Sequence, residues 1–324
     1  MSATDVDVGV LLQADGLTVD FATPQGALRA VDAVSLRLCG GVVLGVVGES
    51  GCGKSTMAFA LAGLLPAQAS VTAGSIRLRG RDVTTLAPEE RRAIRGREVA
   101  MVFQDPLTYL NPVMRVGEQI AEKFDAHDCA PAGGVTGEVS RLLQEVGLAP
   151  GAAAMYPHEL SGGMRQRVLI AMAIACNPCL VIADEPTSAL DVTTQAQILQ
   201  LFGDLRRSRG ASLLLITHDV GVAAELCDEV CVLAAGRIVD KGSVVDVLAR
   251  PAHPYTQALL AAAAPQPGRG HALKGSPPDL LSPPTGCRFH PRCPYTTARC
   301  SAEEPPQCGS GTHQFACWLG TDDG

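Results

Sequence analysis

Eight consecutive residues, Gly48-Glu49-Ser50-Gly51-Cys52-Gly53-Lys54-Ser55, have the types and spacing of a phosphate-binding loop, G-x-x-x-x-G-K-S. Its glycines let the backbone curl so that successive N–H groups point inward at phosphate oxygens. A helix that follows adds the positive potential of its N-terminus. Lys54 can reach the β- and γ-phosphates of a nucleotide. The Ser55 hydroxyl can ligate Mg2+, with Thr56 beside it. Two carboxylates, Asp184-Glu185, close an apolar run. Asp184 suits an Mg2+-positioning acid, and Glu185, pointing differently, suits a group that polarises a water for in-line attack. Gln104 and His218 also end apolar runs, where an amide or imidazole meets a ligand at the carboxyl edge of a parallel sheet. Leu160-Ser161-Gly162-Gly163 is a second glycine-bearing helix start, hence a second anion site, without a lysine placed like Lys54.

These groups need elements to position them. Residues 42–47 form an apolar run that reads as a buried strand into the loop, and residues 56–65 read as a helix stopped by Pro66. Residues 17–21 and 31–38 alternate like antiparallel strands. Phe21 there can stack on an adenine ring, and reads equally well as a core strand residue. Residues 76–82 read as a strand turning at Gly80-Arg81, and residues 99–102 as the strand before Gln104. Helices are expected over residues 113–126 and 138–146, an insertion between the Gln104 loop and Ser161. A helix runs on from Ser161 until Asn177-Pro178. Residues 180–184 and 213–217 read as buried strands. Residues 193–209 form an amphipathic helix closed by Gly210, and residues 229–240 a hairpin turning at Ala235-Gly236.

Composition narrows the classes. The chain has 324 residues, 47% of them apolar, enough for a large α/β domain and a smaller appendage. A net charge of −7 argues against a nucleic acid partner. The first ten residues lack a basic segment with an apolar core, and no run approaches the roughly 18–20 apolar residues of a membrane helix. A cytosolic chain is expected, with any membrane role exerted through a partner.

The ordered set of residues 48–55, Gln104, 160–163, Asp184-Glu185, Ser188-Ala189-Leu190-Asp191 and His218 resembles the ATP-binding-cassette (ABC) ATPases over roughly residues 12–265. The fold this implies is a P-loop α/β cassette. It has a parallel-type core sheet, an antiparallel β subdomain, and a helical subdomain at about residues 105–178. More narrowly, residues 103–112 (FQDPLTYLNP), 156–160, 163–167 and 250–256 (RPAHPYT) resemble the ATPase subunit of an oligopeptide/dipeptide importer. The resemblance implies ATP and Mg2+ as ligands. It implies Glu185, His218 and Gln104 as catalytic groups, and Ser55, Gln104 and Asp184 at the metal. Ser161, Gly162, Gly163 and Met164 would act on the nucleotide of a second ATPase subunit, with Asp191 in the adjoining loop. The wider superfamily usually has Gln at the Met164 position, a departure that points to a heterodimer. The remaining implied partners are two integral membrane permease subunits, docking near Tyr109, and indirectly an extracytoplasmic solute-binding protein. The chain would then sit peripherally on the cytoplasmic face of the membrane. Importers of nickel or a glutathione-like solute are an alternative. So, in another class, is a soluble non-transport ABC ATPase, which the lack of a second cassette or a long coiled coil disfavours.

Of twelve cysteines, seven are scattered before residue 232 and five lie between 287 and 317. A Pro/Gly-rich stretch over residues 266–286 reads as a linker to a small Cys-rich extension at 287–320. Clustered cysteines in a reducing compartment more often mean metal than disulfide, and this spacing lacks the C-x2-C knuckles of zinc ribbons. Long peptide-importer ATPases resemble this tail, with its Phe289, Pro291-Arg292-Cys293-Pro294 and Ala316-Cys317, and are associated with a [4Fe-4S] cluster. By that match the ligands are Cys287, Cys293, Cys300 and Cys317, with Cys308 spare. Zn2+ with His290 or His313 is the alternative, and unliganded reduced thiols a third reading. The tail's distance in sequence from residues 48–55 suggests a structural or docking role, with the metal supplying its fold.

Overall fold

The computed structural model describes residues 9–263 and 275–321. The expected linker at 266–286 is therefore described only from residue 275 onward. The first eight residues, part of the segment read for a leader, also lie outside the described residues. The strands are β1 (Val10–Thr23), β2 (Gly26–Cys39), β3 (Val43–Val47), β4 (Ala69–Leu78), β5 (Arg81–Asp82), β6 (Val99–Val102), β7 (Leu180–Asp184), β8 (Ser212–Thr217), β9 (Glu229–Ala234), β10 (Arg237–Ser243), β11 (Gln307–Ser310) and β12 (His313–Ala316). The described residues form two units, one made of those up to Thr85 and those from Leu215 onward, the other of Leu86–Leu214.

The first unit holds an antiparallel sheet of order β2-β1-β4-β5. β1 and β2 pair from Val10↔Cys39 to Thr23↔Gly26 around the two-residue turn Pro24-Gln25. Leu12, Leu17, Val19, Val31 and Leu38 from their inner faces are buried, as a half-buried sheet requires. A second set of strands in this unit runs β11-β12-β10-β9-β3. β3 is parallel to β9 and buried at every residue, so it reads as a continuous apolar run instead of an alternating one. β9 and β10 form the expected hairpin, with Ala235 (φ 47°) and Gly236 (φ 82°) both left-handed, the backbone of a primed two-residue turn. β12 pairs with β10 from Asp240↔Phe315 to Gly242↔His313. The Cys-rich tail therefore adds strands to this sheet and buries Phe289, Arg288 and Cys317, a larger share of protein contacts than its composition suggested.

The second unit carries the parallel pair β6 and β7 and the helices Val116–Ala126, Val135–Glu145, Gly162–Ile174 and Val192–Arg209. Ile120, Phe124, Leu142, Leu143, Val168 and Ile170 supply buried side chains from these helices. β8 brings the chain back into the first unit.

Element ends differ from expectation where local hydrogen bonds decide. The helix after the phosphate loop is Lys54–Leu61 and stops at Gly63, not Pro66. Gly63 is left-handed (φ 67°), and Leu64 N–H reaches back to Phe59 O at 2.7 Å. The helix expected from residue 113 starts at Val116, because residues 111–114 turn first and Arg115 N–H donates to Glu118 Oε2. The strand expected at 76–82 is β4 and β5 with the turn one residue earlier, at Arg79 and Gly80.

Candidate functional site

The phosphate loop leaves β3 and enters the helix Lys54–Leu61 in the first unit. Two of its glycines are compulsory. A Cβ on Gly48 would stand 2.2 Å from Leu233 O. One on Gly53, at φ 105°, would stand 2.2 Å from Ala30 O. Lys54 is 4% exposed, and its ammonium donates to Gly48 O at 2.8 Å and Glu49 O at 2.9 Å. Its charge is thereby held against the loop's own curl. Cys52 is buried under the loop. Burial pushes its thiol up, so it is an uncharged filler and not a nucleophile. Ser50 and Gly51 are exposed, while Glu49, Ser55 and Thr56 are half-buried. Phe21, at the far end of β1 opposite Leu28 and Ala69, is also half-buried. His218 follows β8 and is exposed.

The second unit gathers the carboxylates. Asp184 ends β7 and is 4% exposed. Glu185 follows at φ 44°, a left-handed conformation that a glutamate adopts only under constraint. That turn separates the two side chains, as neighbours with different tasks require. Gln104 Nε2 donates to Glu185 Oε2 at 3.1 Å across 81 residues of chain. Ser161 caps the 13-residue helix Gly162–Ile174, its Oγ accepting from Met164 N–H at 3.3 Å. Ser161 and Gly162 are exposed, and a Cβ on Gly163 would strike Thr194 Cγ2 at 2.4 Å. Asp191 caps the helix Val192–Arg209, accepting from Thr194 N–H at 3.0 Å and Oγ1 at 2.7 Å, and these bonds hold its carboxyl below the usual range.

In the tail, Cys287, Cys293, Cys300 and Cys317 line one cavity of about 210 Å³ in the first unit, with Phe289 and Trp318. The Cys308 sulfur points elsewhere, to Pro306 O and Cys317 O. Burial pushes the Cys287, Cys293 and Cys317 thiols up. Among the described residues no three His, Cys, Asp or Glu side chains converge as ligands of a single metal ion. His313 is engaged by the buried Asp240, Nε2 to Oδ1 at 2.8 Å, and His290 Nδ1 lies 2.9 Å from Cys287 O. Neither the expected iron–sulfur ligands Cys287, Cys293, Cys300 and Cys317 nor the mixed-ligand zinc alternative forms such a group among the described residues.

The ABC transporter family matches residues 31–188, and the C-terminal region of oligopeptide/dipeptide transporters matches residues 239–300. An oligopeptide transport ATP-binding protein of Salmonella typhimurium is 45% identical over 95% of this chain and 93% of its own length. A dipeptide transport ATP-binding protein of Bacillus subtilis is 44% identical over 95% and 94%. The chain belongs to the ABC transporter family, in its oligopeptide/dipeptide branch. The solved post-hydrolysis dimer of the ATP-binding cassette MJ0796, bound to ADP and Pi, superposes with a TM-score of 0.66 at 27% identity. It covers 72% of this chain and 99% of that one. The ABC ATPase fold and the enzyme class read from the sequence hold. No helix among the described residues is long and apolar enough to cross a membrane.

Sequence reading missed the groups that hold the ABC ATPase's phosphate loop from behind. Tyr255 Oη accepts from Glu49 N–H at 2.9 Å, and Arg292 clamps the Glu49 carboxylate at 2.6 and 2.9 Å. Arg288 pairs with Asp32 and donates to Ala235 O. The tail is remote from the loop in sequence and adjacent to it in space. The sequence carried no signal for this, because the burial of the Arg288 and Arg292 side chains arises only once the chain has folded.

Proposed function

We propose that this ABC ATPase hydrolyses ATP to drive a membrane importer of peptides, working with a second ATPase subunit against two permease subunits. The observation that carries the reading is identity of about 45% with peptide-transport ATP-binding proteins along 95% of the chain, C-terminal region included. Residues 12–265 would form the ATPase domain, 266–286 the linker and 287–320 the Cys-rich region, on the cytoplasmic face of the membrane.

In the proposed mechanism the amides of residues 48–55 and Lys54 bind the β- and γ-phosphates. Ser55, Asp184 and Gln104 would hold Mg2+, which when bound neutralises charge on the phosphate oxygens. Glu185 accepts the proton of the attacking water, and its bond from Gln104 supports that orientation. His218 would contact the γ-phosphate and Phe21 the adenine. The helix start at Ser161, Gly162, Gly163 and Met164, exposed at its first two residues, would cap the nucleotide of the second subunit, with Asp191 in the adjoining loop. Binding and orientation, not covalent chemistry, carry the rate.

We also propose that Cys287, Cys293, Cys300 and Cys317 hold an iron–sulfur cluster. Support comes from four cysteines that line one cavity, thiolates being the donors that hold such clusters.

The test is peptide uptake by vesicles carrying the reconstituted complex. ATP-dependent uptake of a labelled di- or oligopeptide, lost in Glu185→Gln, is expected. Uptake of nickel or glutathione with no peptide uptake would replace the cargo. ATPase activity of the isolated chain that the membrane subunits leave unchanged would overturn the coupling.

A further inference from the structure

We propose that Arg292 is a positioning residue for the phosphate loop, and that residues 288–292 of the Cys-rich region brace that loop for nucleotide. The inference rests on the reading of residues 48–55 as the nucleotide site.

Glu49, the second residue of the loop, is held at three points. Its N–H donates to Tyr255 Oη at 2.9 Å, its carbonyl accepts from Lys54 Nζ at 2.9 Å, and its carboxylate takes both arms of the Arg292 guanidinium at 2.6 and 2.9 Å. The Arg292 side chain is only 8% exposed, and the Glu49 side chain 22%. A fork-to-fork pair so placed fixes orientation as well as charge. The guanidinium lies over the Phe289 ring at 5.9 Å, and that ring meets the Tyr255 ring at 5.3 Å, nearly edge-on. Arg292, Phe289 and Tyr255 thus form one packed wall behind Glu49.

Arg288 gives the same segment a second grip. It pairs with the buried Asp32 and donates to Ala235 O, while the next residue, Gly236, donates its N–H to Cys52 O at 2.8 Å. The segment therefore reaches the loop at residue 49 directly and at residue 52 through one turn. Two expected ligands, Cys287 and Cys293, flank it.

The need for Arg292 is electrostatic. A glutamate in a phosphate-binding loop is an anion beside a polyanion. Arg292 neutralises the carboxylate and holds it on the side of the Cys-rich region. Without Arg292, the freed carboxylate repels the phosphates and the loop loses part of its preorganisation.

The test is equilibrium titration of the full chain with a fluorescent N-methylanthraniloyl ATP. Arg292→Met, which keeps an apolar stem over Phe289, should weaken binding about tenfold, the scale of one partly screened charge repulsion. In a Glu49→Gln background the same change should cost less than about twofold, because no carboxylate remains to be released. Parental affinity in Arg292→Met, or an equal loss in both backgrounds, would overturn the proposal. The second result would mark Arg292 as scaffold only. Should Arg292→Met not fold, Arg292→Lys serves: one donor in place of a fork predicts a smaller loss that also vanishes in Glu49→Gln, and no loss overturns the idea. Lys54→Ala separates the two levels. Binding lost there but parental in Arg292→Met removes the brace alone, whereas parental binding in both removes the nucleotide site as well.

Discussion

Asp32→Asn tests how firmly the tail is anchored in the first unit. Asp32 and Arg288 have side chains 7% and 8% exposed and face each other as an ion pair. Burial pulls the Arg288 guanidinium below its ordinary value, and Asp32 is the largest influence pulling it back. Asp32 also binds Arg237 at 2.7 Å and Arg29 at 3.6 Å, but those side chains are 26% and 48% exposed and keep Glu304 and Asp20 respectively. The cost therefore concentrates on Arg288. Orphaning one member of a buried pair costs about 3–5 kcal/mol. An asparagine oxygen can still accept one hydrogen bond, returning about 1 kcal/mol, so a net loss of about 3 kcal/mol is expected. For a unit of this size, each kcal/mol moves the melting temperature by about 2–4 °C, so a shift of roughly 8 °C should appear by calorimetry. Melting of the separate units should be resolved, because a chain of two units need not unfold in one step. High salt should leave the shift in place, since the pair is shielded from solvent ions. Asp20→Asn is the control: its partner Arg29 is 48% exposed, and less than about 1 kcal/mol is expected. A shift below about 2 °C, or one matched by Asp20→Asn, would refute the reasoning.

Other outcomes follow from the same geometry. Glu185→Gln should keep nucleotide affinity while kcat falls by about 10²–10⁴, the usual share of a proton acceptor, and parallel loss of affinity in a binding titration would deny Glu185 that role. Anaerobically purified chain should be brown and hold about four irons, with Cys287→Ser, Cys293→Ser, Cys300→Ser or Cys317→Ser bleaching it and Cys308→Ser not. Colourless protein with one zinc would replace the cluster. Glu145 is held below its ordinary value of 4.5 by its hydrogen bond from Arg209, against the opposing push of burial. Its stabilisation is therefore present above that value and lost as pH falls below it towards the folded-state value. Acid titration of thermal stability should show this loss in the second unit, and Glu145→Gln should flatten it. Diamide should join Cys129 and Cys176, whose sulfurs lie 2.7 Å apart, by withdrawing their two thiol hydrogens. Peptide mapping without that linkage would count against the contact.

The chemistry-bearing residues were legible because their signals are local. The glycine loop and Lys54 lie within eight residues. Ser161 caps its helix through a bond to an N–H group three positions on. A buried parallel strand such as β3 or β7 announces itself as an apolar run. The helix at Gly63 was legible in principle, but the later proline drew the boundary; a left-handed glycine ends a helix before a proline can.

What the sequence by itself determined is therefore the phosphate loop, the helix caps, the strand ends carrying Asp184, Glu185, Gln104 and His218, and through them the family. Tertiary structure decided what the loop is built against. Gly48 and Gly53 have no freedom because Leu233 O and Ala30 O stand 2.2 Å from where a Cβ would sit. Glu49 meets Arg292 across 243 residues, and Asp32 meets Arg288 across 256. Charge pairs at such separations leave no periodicity to read. The entropy of closing the intervening chain grows only logarithmically with its length, so sequence distance says little about which partners meet. Only the packing of β9, β10 and the tail around β3 brings those arginines behind the loop. For that reason a segment that reads as an appendage in sequence is part of the phosphate loop's foundation in space.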